Sequence, residues 1–77
     1  MNDAFLAMQH RDELMDTLYF AGFDHQYSRD LVGGKKSYVF RTDKFNLTVQ
    51  GRNIIINDAK FKNVRDAKRY ICERFVR

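Results

Sequence analysis

Phe45, Leu47 and Val49 alternate with Asn46, Thr48 and Gln50, which places three apolar side chains on one face of an extended chain and three polar ones on the other. A helix would scatter both sets around its axis, so the stretch reads as a half-buried strand. Gln50-Gly51-Arg52-Asn53 then supplies turn chemistry, because Gly51 and Asn53 both tolerate positive φ, and the β-branched run Ile54-Ile55-Ile56 returns. The two runs make a hairpin. A hairpin alone is marginal in water, so its apolar face demands further strands or a helix laid across it. That demand restricts the chain to a sheet with one covered face.

The rest of the chain supplies what the hairpin needs. Leu6, Leu14, Met15 and Leu18 recur at helical spacing with Asp12, Glu13 and Asp16 between them, and Asp3 is a candidate N-cap. The helical pattern holds over residues 10–21, while Gln9, His10 and Arg11 form a polar step that leaves residues 2–9 unassigned. Gly22 is the expected residue just beyond the helix, followed by an apolar contact from Phe23. After Gly22 the period becomes two. Phe23, His25, Tyr27, Arg29 and Leu31 alternate with Asp24, Gln26, Ser28 and Asp30, as in an edge strand of mixed polarity. Val32-Gly33-Gly34 turns the chain into a strand over residues 36–42, and Thr42-Asp43-Lys44 leads into the central hairpin. Connections this short join antiparallel neighbours and exclude parallel crossovers. Asn63 is a good N-cap with Asp66 three residues on, and Val64, Ala67, Ile71 and Phe75 share one helical stripe with Arg65, Arg69 and Glu73 opposite. The expected fold is α+β: an N-terminal helix, a four-stranded antiparallel meander and a C-terminal helix, with both helices on one face and residues 1–77 forming a single domain.

Seventy-seven residues allow one small core, burying roughly 60 % of the surface the unfolded chain exposes, so a large enclosed substrate cavity is not expected. A partner or a second copy would add stability, and the expected state is a monomer or a homodimer. The single cysteine, Cys72, excludes an internal disulfide and fits a reducing compartment. No apolar run approaches the ~20 residues that span a bilayer, and the N-terminus lacks a basic flank followed by an apolar stretch, so a cytoplasmic protein is expected. The net charge of +4 hides an asymmetry: residues 1–34 carry two basic and six acidic side chains, net −4, and residues 35–77 carry twelve and four, net +8. The back half would meet a polyanion or an acidic protein surface.

Two stretches resemble known families. Lys60-Phe61-Lys62-Asn63-Val64-Arg65-Asp66-Ala67-Lys68-Arg69-Tyr70-Ile71 is similar to the closing strand and helix of many small proteins of phages and mobile elements. Residues 36–76 resemble in this way the arm-type DNA-binding domains of phage integrases, and the chain's size and composition resemble small anti-CRISPR inhibitors of host defence. The resemblance implies an accessory protein of the host-cell cytoplasm whose partner is nucleic acid or a host complex that handles it. Leu18-Tyr19-Phe20-Ala21-Gly22-Phe23, followed by a hairpin with a glycine turn, is similar to the opening of HicA-type toxin RNases, whose fold resembles a double-stranded-RNA-binding domain. That family carries a catalytic histidine just after the turn glycine. Here Lys35, Lys36 and Ser37 follow Gly34, so the likeness implies the fold without the nuclease.

The basic residues Lys35, Lys36, Arg41, Lys44 and Arg52 lie at or near strand ends and turns, and Lys60, Lys62, Arg65 and Arg69 extend toward the last helix. Interleaved with Tyr38, Phe40, Phe45 and Tyr70, these nine are the candidate site for nucleic acid or an acidic partner, through phosphate contacts and base stacking. The bland alternative is a solvated basic surface over core aromatics. His10 and His25 are fifteen residues apart and Cys72 stands alone, so no metal site is expected. His25 has no nucleophile or orienting carboxylate beyond Asp24 and reads as an exposed strand histidine; Cys72 reads as partly buried and inert. Gly33-Gly34-Lys35-Lys36 lacks the spacing and following helix of a phosphate loop and reads as a hairpin turn. The expected function is therefore a non-enzymatic binding module without a cofactor, whose basic half engages nucleic acid or a nucleoprotein complex. The alternative is an inhibitor that docks on a host defence or regulatory protein, and an RNase of HicA type lacking its catalytic histidine is a distant third.

Overall fold

The backbone changes period at Gly22 and again at Asn63, as the alternation of apolar positions requires. The computed structural model describes residues 3–76. In chain order it forms α1 (Asp3–Phe20), β1 (His25–Val32), β2 (Lys35–Thr42), β3 (Asn46–Gln50), β4 (Asn53–Ile56), β5 (Ala59–Phe61) and α2 (Val64–Phe75). The five strands make one antiparallel meander in the order β1-β2-β3-β4-β5.

Register decides which residues meet the helices. Tyr27, Phe40, Leu47, Ile56 and Ala59 form one row across the sheet, and Arg29, Tyr38, Val49, Ile54 and Phe61 the next. On the middle of these rows α1 lays Ala7, His10, Leu14 and Leu18, and α2 lays Val64, Ala67 and Ile71. Phe40, Leu47, Val49, Ile54, Ile56, Leu14, Leu18 and Ile71 are fully buried, each contributing about 1.5–3 kcal/mol relative to exposure. Both helices pack on the same face and touch each other. Among the described residues the opposite face carries no helix, yet Val39 on it is only 5 % exposed, flanked by Ser28 and Thr48 on the neighbouring strands.

The helix ends follow their side chains. Gly22 adopts φ +80°, Phe23 N–H donates to Leu18 O at 2.9 Å and Gly22 N–H to Tyr19 O at 3.1 Å, so α1 closes in a Schellman motif. Phe23 then packs edge-on against Phe45. At α2, Asn63 is extended (φ −142°, ψ 157°) and its Oδ1 accepts from Asp66 N–H at 2.8 Å.

Several expectations are corrected. The meander has five strands rather than four: Asn57 takes φ +53° in a two-residue turn with Asp58, and Ala59–Phe61 pairs back on Ile54–Ile56. Among the described residues α1 is helical from Asp3 onward, Asn2 of the unassigned stretch lying outside them, because the Gln9-His10-Arg11 step points its middle residue into the core, where His10 is buried. Asp3 is itself helical and so does not cap from outside; its carboxylate accepts from Arg52 Nε at 3.0 Å. In the β3–β4 turn only Gly51 takes positive φ, while Asn53 belongs to β4. Cys72 is exposed, since it follows Ile71 on α2 and so turns away from the buried stripe. His25 is half-buried, with its ring against Phe40 and Nδ1 3.3 Å from Phe23 O.

Candidate polyanion-binding groove

In an antiparallel meander alternate turns share an end of the sheet. The β1–β2 turn at Gly33-Gly34, the β3–β4 turn at Gly51-Arg52 and the link from β5 to α2 therefore lie together, beside the first turn of α1. Between them opens a groove of about 1250 Å³, with Ala4, Ala7, Leu31 and Tyr38 among its apolar walls and Arg29, Lys35, Lys36, Arg52 and Lys62 as its cations. Asp3 and Asp30 are its only acids among the described residues, so the lining is net +3.

Local chemistry fixes these side chains. Gly33 and Gly34 have φ of +60° and +78°, the type I′ geometry that any side chain would strain, and they set Val32 opposite Lys35 and Leu31 opposite Lys36. Gln50 Nε2 donates to Val32 O at 2.8 Å and to Ser37 Oγ at 2.9 Å, and Ser37 Oγ donates to Lys35 O at 3.0 Å. That chain of bonds ties the turn end of the β1–β2 hairpin to β3. The Arg52–Asp3 pair joins the β3–β4 turn to α1; both groups are well exposed, so it adds little stability and mainly shapes the wall. Asp30 accepts from Ser28 Oγ at 3.2 Å and lies 3.9 Å from Arg41, with both members of that pair well exposed. Arg29, Lys35, Lys36 and Lys62 take part in none of the ion pairs among the described residues. The N-terminal end of α1 adds its positive dipole end to the same region.

Of the nine basic residues singled out from sequence, the groove brings together Lys35, Lys36, Arg52 and Lys62. The other five lie elsewhere. Arg41 pairs with Asp30 near the far end of β2. Lys44 is in the β2–β3 turn at the other end of the sheet, 6.0 Å from the Phe23 ring, in a hollow shared with Asp24, Asp43 and Arg74. Lys60 stands beside Ile55 on the face without helices. Arg65 and Arg69 sit on the outward side of α2, 3.6 Å from Asp66 and 3.5 Å from Glu73. Arg29 was not singled out, because it belongs to the acidic half; its position two residues from Leu31 in the β1 alternation was the available signal.

The aromatic residues expected to stack on bases do other work. Phe40 and Phe45 are buried in the core. Tyr38 has the Tyr27 ring nearly parallel at 6.3 Å and the Arg11 guanidinium over it at 4.8 Å, and Tyr70 packs on Phe61 at 5.0 Å with Arg74 at 5.1 Å. The groove therefore offers cations without a free aromatic platform. Burial lowers the pKa of His10 below its ordinary value, against a weaker upward pull from Glu13, and its Nδ1 has no hydrogen-bond partner among the described residues.

Compared with models of known protein families, with curated proteins and with solved structures, the chain matches none. No described helix is long and apolar enough to cross a membrane.

Proposed function

We propose that this domain is a non-enzymatic module that holds the phosphate backbone of nucleic acid in the groove at the Gly33-Gly34 end of its sheet. The observation that carries the reading is the convergence of Arg29, Lys35, Lys36 and Lys62, from separate parts of the chain and outside any ion pair among the described residues, while the remaining candidates are dispersed. Since the neighbouring aromatics are packed against the protein itself, contact would be to phosphates, which position a strand without reading its sequence. Binding would then be steeply salt-dependent and similar across sequences. Neutralising Lys36 and Lys62 together to Gln should lower the slope of log affinity against log salt by about 1.8 on duplex DNA, at about 0.9 per phosphate contact. The equally charged control, Lys44→Gln with Arg69→Gln, should leave the slope near its wild-type value. Absence of wild-type binding at about 50 mM salt, where counterion release still favours it, sinks the proposal.

One observation favours a second reading, a protein-directed inhibitor. Tyr19 and Phe20, 75 % and 84 % exposed, stand edge to face at 5.5 Å near the end of α1. Exposed aromatic pairs of this kind anchor protein interfaces. Under that reading naked nucleic acid is ignored, and Phe20→Ser with Tyr19→Ser abolishes capture of a host protein.

A further inference from the structure

β1 is a free edge of the sheet and runs for eight residues, whereas the other edge, β5, has three. The two-residue turn at Gly33-Gly34 fixes which backbone groups of β1 remain open. In such a hairpin the flanking residues, Val32 and Lys35, exchange hydrogen bonds, so Gln26, Ser28, Asp30 and Val32 bond toward β2. The N–H and C=O groups of His25, Tyr27, Arg29 and Leu31 then point out of the sheet. Proteins blunt a long edge with proline, a bulge, a covering element or charged side chains, and β1 carries the last of these in Arg29, on the helix side, and Asp30, which are of opposite sign. β1 contains no proline, and it pairs one-to-one with β2 from His25 to Val32 without a bulge. Its helix-side residues are left partly bare: Leu31 is 71 % exposed and Tyr27 39 %.

We propose that this edge pairs with the β1 edge of a second copy of the chain, antiparallel about a two-fold axis normal to the sheet, to make one continuous ten-stranded sheet. Such an axis keeps both copies' helices on the same face, and it requires partners of equal parity along the strand. Charge then selects the register, because like charges directly opposite each other oppose pairing. An axis through Arg29 sets Arg29 against Arg29, one through Asp30 sets Asp30 against Asp30, and one through Tyr27 sets Asp24 against Asp30. The axis through Ser28 has no such conflict. It places each Arg29 guanidinium opposite the Tyr27 ring of the other copy, His25 opposite Leu31, Gln26 opposite Asp30, and Ser28 opposite itself. Cation and ring attract in that pairing, and in the dimer Arg29 leaves the groove's set of free cations, which is then Lys35, Lys36 and Lys62. Met8 and Tyr19, also exposed, fall on the side of α1 that carries Arg11, which reaches over Tyr38 toward β1.

Because Ser28 meets itself, it provides a register-specific test. The full chain is analysed by sedimentation equilibrium over a concentration series, as wild type, as Ser28→Lys, as Ser28→Asp and as an equimolar mixture of the two variants, with thermal melts confirming that each folds. Wild type should reach twice the monomer mass, each variant alone should lose dimer, and the mixture should regain it as a heterodimer. A second variant, Leu31→Pro, removes an outward N–H without touching the β1–β2 ladder and should also be monomeric. A wild type that stays monomeric at every concentration overturns the proposal. So does a set of variants that dimerise like wild type, and a mixture that fails to recover overturns the Ser28 register.

Discussion

Substituting Asp for Val49 and, separately, for its neighbour Thr48 isolates the contribution of one face of the sheet. Val49 is fully buried between Tyr38 and Ile54 beneath the helices. Removing its side chain forfeits about 1.5–3 kcal/mol of burial, and enclosing a carboxylate there costs several kcal/mol more after relaxation. A domain of 77 residues has about 4–12 kcal/mol in total, at roughly 0.05–0.15 kcal/mol per residue, so Val49→Asp removes most or all of it. Thr48 lies on the face without helices, half-buried between Val39 and Ile55. A carboxylate there keeps its access to water, and the loss is of the order of 1 kcal/mol, mainly of β-preference and contact with those two neighbours. In thermal melts followed by circular dichroism, Thr48→Asp should lower Tm by about 4–8 °C, and Val49→Asp should show no cooperative transition. Equal shifts for the two variants would refute the assignment of faces.

The buried His10 makes stability pH-dependent. Its pKa is lowered in the folded state from the ordinary 6.5, so the unfolded chain binds a proton more readily. The His10 contribution is then fully present above pH about 6.5 and is lost as pH falls through that value toward the folded pKa; His10→Leu should flatten this part of the Tm–pH curve, and an unchanged curve would refute the assignment. Asn63→Ala deletes the cap on the Asp66 amide and should cost about 1 kcal/mol, read as a lower denaturation midpoint with an unchanged slope.

The strands that alternate cleanly were legible because the signal is local. Phe45 to Val49 shows its face without reference to anything else in the chain, and so does the Val64, Ala67, Ile71 stripe of α2. β5 was not legible, since Ala59, Lys60 and Phe61 are too few to display a period and only the Asn57-Asp58 turn marks them. The start of α1 was hidden for a different reason. His10 looks polar in sequence and is buried only in the folded molecule, on the side of α1 that carries Ala7, Leu14 and Leu18. For the site, adjacency to turns pointed to Lys35, Lys36 and Arg52, but grouping all nine basic residues ignored that alternate turns of a meander lie at opposite ends, which sends Lys44 away and brings Lys62 in. Counting charge by halves of the chain hid Arg29, whose strand carries it across to Tyr38. The Gln50–Ser37–Val32 bonds span 13 and 18 residues, and nothing local encodes them.

The groove as a polyanion site is tested most directly by amide chemical-shift mapping of the labelled protein during titration with a duplex oligonucleotide at low salt. The largest changes should fall on Gly33, Gly34, Lys35, Lys36, Gly51, Arg52 and Lys62, and should reverse as salt is raised. Changes centred instead on Lys44 and Arg74, on Lys60, or on Arg65 and Arg69, or no changes at all, would contradict the account.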